Sequence, residues 1–307
     1  MKGIIIGLSI FCGLLLIFLI VLYLIYKYMY YSPKKGQNND FRVEPSMDYQ
    51  GTKDKLHELI NKLIEIPNED LWIKSYDGLK LHGYFYKNKK SDKFILMFNG
   101  FRGTPRSNFA GSAIDAMNLG MNVILCDQRA HGLSEGHSIT FGRKEQYDVV
   151  TWINFVQEKW GKSTKIAIGG ISMGAATVLL ASDKIDPNIK IIADCPYSKQ
   201  KDELLYMMRQ MKYPAKFMWP FVYLPCLIFG HARLKDDALI NVSNSKNKIL
   251  IIHGSKDSIV PYKMSERVFL ANKDHVQYEL FDGVEHALSY LKDTERYKEI
   301  VQKFLLE

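Results

Sequence analysis

The hydrophobic pattern of the chain opens with one long apolar segment. Residues 3–26 read GIIIGLSIFCGLLLIFLIVLYLIY and contain no charged side chain. As a helix rising 1.5 Å per residue, this segment would extend about 36 Å, enough to cross a hydrocarbon core of about 30 Å. Tyr and Lys side chains that suit the headgroup region follow it, and no small-residue cleavage site does. We therefore predict an uncleaved single-pass anchor over residues 1–30, with a buried core helix as the alternative.

Lysines flank both ends of the apolar segment, so the positive-inside rule does not decide its orientation.

The next residues predict a linker, a helix and a hairpin. Residues 31–50 are polar with Pro, Gly and Asn, a composition typical of a flexible linker. Residues 52–66 have apolar side chains at helical spacing and predict a surface helix. An Asp77-Gly78 turn between two strand-like runs then indicates a β-hairpin over residues 71–86.

From residue 93 onward, strand-like and helix-like patterns alternate. The predicted strands cover residues 93–100, 121–128, 165–172, 189–198, 248–255 and 276–283, and helical patterns fill 107–120, 143–161 and the segment that Ser172 begins. Nearly continuous apolar strands with helical crossovers favour a mostly parallel sheet with helices on both faces. We predict one α/β domain over residues 51–307 with an insertion at residues 199–246.

The insertion is rich in methionine and aromatic side chains. It could be a helical subdomain that buries its own core, or a cap whose adaptable side chains meet an apolar substrate. The two interpretations carry equal weight and are compatible. If the insertion is a cap, its candidate substrate-binding residues are Met207, Met211, Met218, Trp219 and Phe221.

Charge and cysteine spacing remove several classes of function. The net charge of +8 is spread along the chain without a dense Lys/Arg block, so we expect no nucleic-acid partner. No C-x-x-C or Cys/His spacing indicates a metal site or a disulfide framework. We expect buried thiols that act as small hydrophobic groups at Cys126 and Cys195 and a membrane position at Cys12; a fourth cysteine is Cys226.

Candidate chemistry lies where predicted strands end. Gly170-Ile171-Ser172-Met173-Gly174 joins a strand to a helix, as expected of a helix N-cap or, alternatively, of a nucleophile elbow, G-x-S-x-G. Asp257 and His286 each follow a later strand. A serine hydroxyl needs a base and an acid that orients the base, and the carboxyl ends of parallel strands share one edge of the sheet. The order Ser172, Asp257, His286 therefore predicts a catalytic triad.

These motifs resemble those of the α/β-hydrolase fold superfamily. The similarity extends from about Leu71 to the C-terminus and rests on GISMGA, DQRAHGLSEG, IIHGSKDSIVP and GVEHALS. Within the superfamily, the chain is similar to membrane-anchored bacterial hydrolases of the dienelactone-hydrolase and serine-aminopeptidase-like type. The resemblance implies that Ser172 is the nucleophile, Asp257 the acid and His286 the base, and it implies no metal or organic cofactor.

An oxyanion hole in such enzymes is built from backbone N–H groups. One comes from the residue after the nucleophile, here Met173, and the other from the loop after an early strand, where we select Phe101. Related enzymes often have His-Gly before that position, whereas this chain has Asn99-Gly100.

Other side chains could compete for these roles. Asp194 also ends a strand and is the alternative acid, although the residues around Asp257 match the family pattern better. His131, together with Asp127 and Arg129, lies in a family-like loop to which we assign a structural role. His253 lies beside a strand end, where a histidine more often packs structurally.

The sequence thus predicts a serine hydrolase that cleaves an ester or thioester. The apolar insertion and the anchor favour a small-molecule substrate with an acyl chain, or a lipid-like one. Peptidase or amidase activity, acyl transfer to an acceptor other than water, and a non-catalytic membrane-tethered binding module are the alternatives.

Overall fold

One eight-stranded β-sheet crosses the part of the chain that the computed structural model describes, namely residues 1–33, 40–41 and 51–307. The strands are β1 (Glu69–Lys74), β2 (Lys80–Tyr86), β3 (Lys93–Phe98), β4 (Asn122–Cys126), β5 (Lys165–Ile171), β6 (Lys190–Asp194), β7 (Ile249–Gly254) and β8 (Val276–Phe281). The α-helices are α1 (Lys2–Met29), α2 (Lys53–Glu65), α3 (Pro105–Asn118), α4 (Glu145–Trp160), α5 (Met173–Ala181), α6 (Gln200–Gln210), α7 (Ala215–Ile228), α8 (Ala238–Asn244), α9 (Tyr262–Ala271), α10 (Ser289–Lys292) and α11 (Thr294–Leu306).

The sheet is mostly parallel, as predicted. Its strand order is β1-β2-β4-β3-β5-β6-β7-β8, and only the β1–β2 and β2–β4 pairs are antiparallel. β1 and β2 form the expected hairpin, and Gly78 has the positive φ of 95° that its turn requires. All strands from β3 onward therefore have their carboxyl ends at one edge.

Helices cover both faces of the sheet. On one face, buried apolar side chains of α4, α5, α8 and α9 pack against the strands, and the largest is Trp152. On the other face, α2, α3, α10 and α11 form a second core. The fully buried Ile60 and Leu63 place α2 in this second core, as expected for an amphipathic surface helix.

A third apolar cluster lies above the carboxyl edge of the sheet. It combines α6 and α7 with the last turn of α1, Met173 and the 130–141 loop. The predicted insertion, residues 199–246, spans α6, α7 and α8, but α8 packs against α5 and α9 as part of a helical layer. Only α6 and α7 rise over the edge, and we call this pair the cap.

The C-terminal part of α1 packs directly on the domain. Leu22 and Tyr30 are fully buried, and Ser32 N–H donates a hydrogen bond to the His137 carbonyl at 2.8 Å. Residues 31 and 32 are therefore part of the packed structure and not of a flexible linker. The rest of the predicted linker, except residues 33, 40 and 41, lies outside the described residues.

Candidate active site

Ser172 lies at a sharp turn between β5 and α5. Its φ of 54° and ψ of −115° fall in a region that non-glycine residues rarely adopt, so the backbone here is strained. The flanking glycines make the turn possible, because a Cβ atom on Gly170 would lie 2.3 Å from the Gly174 backbone and one on Gly174 would lie 1.9 Å from the Phe98 carbonyl oxygen. The turn has the geometry of a nucleophile elbow.

Hydrogen bonds connect Ser172, His286 and Asp257. The Ser172 Oγ lies 2.9 Å from His286 Nε2, and His286 Nδ1 lies 2.6 Å from Asp257 Oδ2. A ring Nδ1–H that donates to the carboxylate leaves Nε2 free to accept the serine proton. The three side chains that the sequence selected thus meet at the carboxyl edge of the sheet.

The surroundings of Asp257 keep it ionised. Burial alone would raise its pKa, but the charges and hydrogen bonds of His286 and His253 outweigh burial and lower the pKa to about 2. Its Oδ1 also accepts hydrogen bonds from the Ile259 and Val260 amides at 2.9 and 2.7 Å. Asp257 is therefore a carboxylate at neutral pH and can stabilise an imidazolium on His286.

Asp194, the alternative acid, lies nearby, but its pKa is shifted in the opposite direction from that of Asp257. Burial raises its pKa to about 6, and its Oδ2 accepts a hydrogen bond from the Tyr297 hydroxyl at 3.1 Å. Its Oδ1 has no hydrogen-bond partner among the described residues. His286 donates to Asp257 and not to Asp194, so the geometry favours Asp257 as the orienting acid.

His253 touches the same carboxylate from the other side. Its Nε2 lies 3.1 Å from Asp257 Oδ2 and 2.9 Å from the Val260 carbonyl oxygen. Both neighbours are acceptors, so Nε2 carries a proton that holds the Asp257 loop in place. His253 is therefore a positioning residue, a role that its place beside a strand end did not reveal.

The predicted oxyanion residues lie close to Ser172: Phe101 lines the same cavity as Ser172, and Met173 is the first residue of α5. Neither Phe101 N–H nor Met173 N–H has an acceptor within the described residues. The loop that contains Phe101, residues 99–104, is fixed by Asn99, whose Nδ2 donates to the Gly100 and Gly103 carbonyls at 2.9 and 3.0 Å. Asn99 therefore stabilises this loop through its side-chain hydrogen bonds, at the position where related enzymes often have histidine.

The Asp127, Arg129 and His131 trio is structural in this molecule. Asp127 accepts a hydrogen bond from His82 at 2.7 Å, and Arg129 pairs with Asp148 at 2.6 Å. His131 Nε2 accepts a hydrogen bond from the Arg102 amide at 3.0 Å, and burial lowers the His131 pKa so that the ring stays neutral. His131 thus helps to orient the 99–104 loop.

A cavity of about 290 Å³ opens beside Ser172; we call it the site cavity. It extends from the triad between α2, α3 and α10, and its far wall consists of Leu56, Leu59, Ala110, Gly111, Tyr290 and Leu291. This wall could not be predicted from the sequence, because its parts come from three separate segments.

A second cavity of about 160 Å³, the rear cavity, lies behind the first. The two share Ser112, Tyr290 and Tyr297 as lining residues. The Tyr290 hydroxyl donates to Asp115 Oδ2 at 2.7 Å, and the Tyr290 ring lies so close to Gly111 that a Cβ atom there would be 2.1 Å from it. Tyr290 therefore separates the two cavities.

The five candidate cap residues occupy different places. Met207 lines the site cavity, whereas the Met211 side chain is 53% exposed. Met218 and Trp219 pack in the third apolar cluster, and the Phe221 ring lies 6.2 Å from that of Phe18 on α1. We therefore retain only Met207 as a substrate-binding candidate. The hydrophobic pattern identifies apolar side chains, but it does not show whether such a side chain lines a pocket or packs against another helix.

Cys195 is the one described cysteine close to the triad. Its Sγ lies 3.9 Å from His286 Nε2, and burial raises the thiol pKa well above its usual value. Cys195, Asp257 and His286 bring possible metal-ligand atoms within 4.8 Å of one another. A metal ion there would have to displace the hydrogen bonds that both His286 nitrogens make to Ser172 and Asp257.

Comparisons with known proteins relate the chain to hydrolases of this fold. A family model described as serine aminopeptidase, S33, matches residues 89–224. The uncharacterized protein YqkD of Bacillus subtilis is 26% identical over 264 residues, which cover 82% of this chain and 84% of that protein.

Solved structures share the architecture. An esterase from Pyrococcus furiosus, Pf2001, superposes with a TM-score of 0.65 at 23% identity, covering 86% of this chain and 95% of its own. Est1E from Butyrivibrio proteoclasticus, solved with ferulic acid, gives a TM-score of 0.61 at 20% identity over 77% of this chain and 100% of its own. These comparisons support a hydrolase of this fold. The strand order and these similarities show that the chain has the α/β-hydrolase fold.

Proposed function

We propose that the protein is a serine hydrolase that cleaves a carboxylic ester or thioester. The observation that carries this proposal is the hydrogen-bonded series Ser172–His286–Asp257 beside the site cavity. In acyl transfer the nucleophilic serine needs an adjacent base, and the base needs an acid that orients it; Ser172 and His286 each have such a neighbour.

The proposed reaction has two halves. The Ser172 oxygen attacks the carbonyl carbon while His286 Nε2 takes the hydroxyl proton, and the Phe101 and Met173 amides stabilise the oxyanion. Collapse of the tetrahedral intermediate breaks the bond to the leaving alkoxide or thiolate, which receives the proton from His286. Water then attacks the acyl-enzyme with His286 as base, and release of the carboxylic acid restores Ser172.

The cavities favour an acyl chain as the substrate group. Leucine, alanine and tyrosine side chains form the far wall of the site cavity, and the rear cavity behind Tyr290 is lined by Ile95, Met97, Phe109, Ile192 and Val301 among others. Apolar walls bind hydrocarbon by burying it from water. We propose a small-molecule acyl ester or a lipid-like ester as the substrate, with α1 holding the enzyme on the cell membrane.

Peptidase or amidase activity is the second candidate, because the matching family model describes serine aminopeptidases. An aminopeptidase would need acidic groups for the substrate amine. Among the described residues that line the site cavity, Asp194 is the only carboxyl, and burial raises its pKa to about 6. A single carboxyl among these lining residues, rather than an acidic pair, favours ester cleavage over recognition of a substrate amine.

The direct test is labelling of the purified full chain, in detergent, with a fluorescent fluorophosphonate. We expect the wild type and Cys195→Ser to label, and Ser172→Ala and His286→Ala not to label. Cys195→Ser is the matched control because its sulfur is the other nucleophile near His286. A folded wild type that neither labels nor hydrolyses p-nitrophenyl esters would overturn the proposal and favour a tethered binding module. Preferred cleavage of aminoacyl anilides would favour the peptidase.

A further inference from the structure

One face of α7 presents apolar side chains to the outside of the domain. Phe217 is 74% exposed and Ile228 is 38% exposed, with Pro220 exposed and Leu224 half-buried between them. Spacings of three, four and four residues place these side chains on one helical face, which we call the outer stripe. The opposite face, with Val222 and Cys226, is buried in the domain. The cap thus exposes apolar surface in a continuous line.

The outer stripe continues into the surface of α1. Phe221, which lies on the same face as the stripe, has its ring 6.2 Å from that of Phe18. The Phe229 ring lies 5.4 Å from that of Tyr23, and the Tyr30 hydroxyl donates to the Val222 carbonyl at 2.8 Å. The last turns of α1 and α7 therefore form one packed unit.

The depth of this contact follows from helix geometry. A hydrocarbon core of about 30 Å needs about 20 helical residues. Counted from Gly3, where the apolar segment begins, these residues end near Leu22. Phe18 precedes Leu22 by about one turn, so the ring that Phe221 contacts lies within the hydrocarbon if α1 spans a membrane. Phe221 directly follows Pro220 of the stripe, so the stripe lies beside the part of α1 that carries this ring.

We propose that α7 is a second membrane-contacting helix, which lies at the bilayer boundary and inserts its outer stripe among the lipid chains. The partner of this surface is the lipid bilayer that α1 crosses; the inference rests on the proposed anchor. Lys212 and Lys216 are exposed beside the stripe and can reach headgroups, as expected for an interfacial helix. Such burial of Phe217 and Ile228 removes apolar area from water.

This arrangement would place the entrance to the site at the membrane surface. Arg102, next to Phe101, donates a hydrogen bond to the Tyr28 carbonyl at the end of α1 at 2.6 Å. The Phe101 ring stacks on Phe141 at 5.2 Å, and Phe141 contacts Tyr30 at 5.9 Å. The oxyanion loop is therefore attached to the end of the span, and a lipid-borne ester would have a short path to Ser172.

The experiment measures depth directly, in the full chain. Cys12→Ser removes the one exposed cysteine, and a single cysteine is then introduced by Phe217→Cys, Leu14→Cys or Leu270→Cys. Each protein carries an environment-sensitive NBD label in vesicles of phosphatidylcholine and phosphatidylglycerol. Leu14 is 63% exposed on α1, and Leu270 is 52% exposed on α9, one of the helices that cover the sheet. Doxyl lipids report contact with acyl chains, and aqueous iodide reports contact with water.

We expect doxyl lipids to quench the labels at positions 14 and 217 at least threefold more than the label at 270, with the opposite order for iodide. Quenching at 14 but not at 217 overturns the inference and leaves the anchor intact. Protection of position 217 from both quenchers shows that a protein surface covers it, which also overturns the inference. Access of iodide to all three positions overturns the anchor as well. None of these readouts requires activity, so they remain informative if the hydrolase proposal fails.

A second arm tests the consequence for substrate access. We expect Phe217→Asp to slow cleavage of a vesicle-borne ester by about tenfold and to leave cleavage of water-soluble p-nitrophenyl acetate in detergent unchanged. Leu270→Asp, the matched control, should change neither rate. Equal rates on the vesicle-borne ester for wild type and Phe217→Asp would count against insertion of the stripe.

Discussion

The carboxyl edge of the sheet, which holds the proposed triad and which we call the catalytic edge, and the cap with α1 are held together by different forces. At the catalytic edge, a strained turn and short hydrogen bonds fix Ser172, His286 and Asp257 relative to one another. On the cap side, Tyr30 and the apolar side chains of α6 and α7 meet mainly through packing, and the Tyr30 hydroxyl adds a hydrogen bond to the Val222 carbonyl.

This difference separates two properties of the site: the geometry of the reacting groups and the position of the site relative to its substrate. Hydrogen bonds and strained dihedrals are directional, so they position reacting atoms within tenths of an ångström. Apolar packing is non-directional and allows one surface to serve as a core contact or as a lipid contact. The catalytic edge thus defines the proposed chemistry, and the cap side defines where the substrate would come from.

The largest expected effect separates the two acids at the catalytic edge. Asp257→Asn should lower kcat/KM by on the order of 10³–10⁴-fold, because His286 loses the carboxylate that holds its tautomer and stabilises the imidazolium. Asp194→Asn should cost no more than about tenfold. Ester hydrolysis by purified variants with matched circular-dichroism spectra measures both. A larger loss for Asp194→Asn would reverse the assignment of the acid.

The second test addresses the strained turn. Gly174→Ala would place a Cβ atom 1.9 Å from the Phe98 carbonyl oxygen, so we expect a loss of at least about 3 kcal/mol in unfolding free energy. Gly169→Ala is the matched control. Gly169 lies in β5 three residues before Ser172, and a Cβ atom there would be 4.0 Å from its nearest neighbours. Thermal unfolding of both variants should give a much lower Tm for Gly174→Ala only; equal Tm values would contradict the close approach.

On the cap side, Tyr30→Ala should destabilise the protein by about 3 kcal/mol. The substitution removes a fully buried ring and its hydrogen bond to the Val222 carbonyl. Tyr28→Ala is the control, because that side chain is 71% exposed. Thermal unfolding in detergent and protease sensitivity of the cap measure the difference. If the two variants behave alike, α1 does not dock on the cap as a packed unit.

The pH dependence of stability offers a finer test of the catalytic edge. Burial raises the folded-state pKa of Asp194 to about 6, above its unfolded value of 3.8, so ionisation of this carboxyl opposes folding as pH rises through that range. Asp194→Asn should therefore stabilise the protein by roughly 2–3 kcal/mol at pH 8 and by little at pH 4. Denaturant unfolding across pH 4–8 measures the difference, and a pH-independent effect would contradict a buried, titrating carboxyl.

The smallest effect concerns the boundary between the cavities. Tyr290→Ala should join the site and rear cavities and raise the rate on p-nitrophenyl dodecanoate relative to butyrate several-fold, roughly 1 kcal/mol in selectivity. Tyr290→Phe, which keeps the ring and loses only the hydrogen bond to Asp115, should shift the preference less. An unchanged chain-length profile in Tyr290→Ala would show that the acyl chain binds elsewhere.

The sequence by itself determined the sheet, the elbow and the candidates at the strand ends. Apolar runs set the strands, and the glycines around Ser172 marked the turn, because both signals depend on residues within a few positions of each other. Asp257 and His286 could be selected because parallel strands bring their following loops to one edge. The strands and the turn thus follow from local sequence patterns, and the meeting of the three side chains follows from the topology of a parallel sheet.

The tertiary structure alone decided which acid faces His286, where the cavity lies and how α1 attaches. Asp194 and Asp257 both follow strands; the motif around Asp257 favoured it, and the hydrogen bond at 2.6 Å shows that its carboxylate is the one that faces His286. The cavity wall joins side chains from α2, α3 and α10, and Tyr30 meets a carbonyl 192 residues away. Contacts between distant segments depend on how whole helices pack, and a hydrophobic pattern records that a side chain is buried without recording against what.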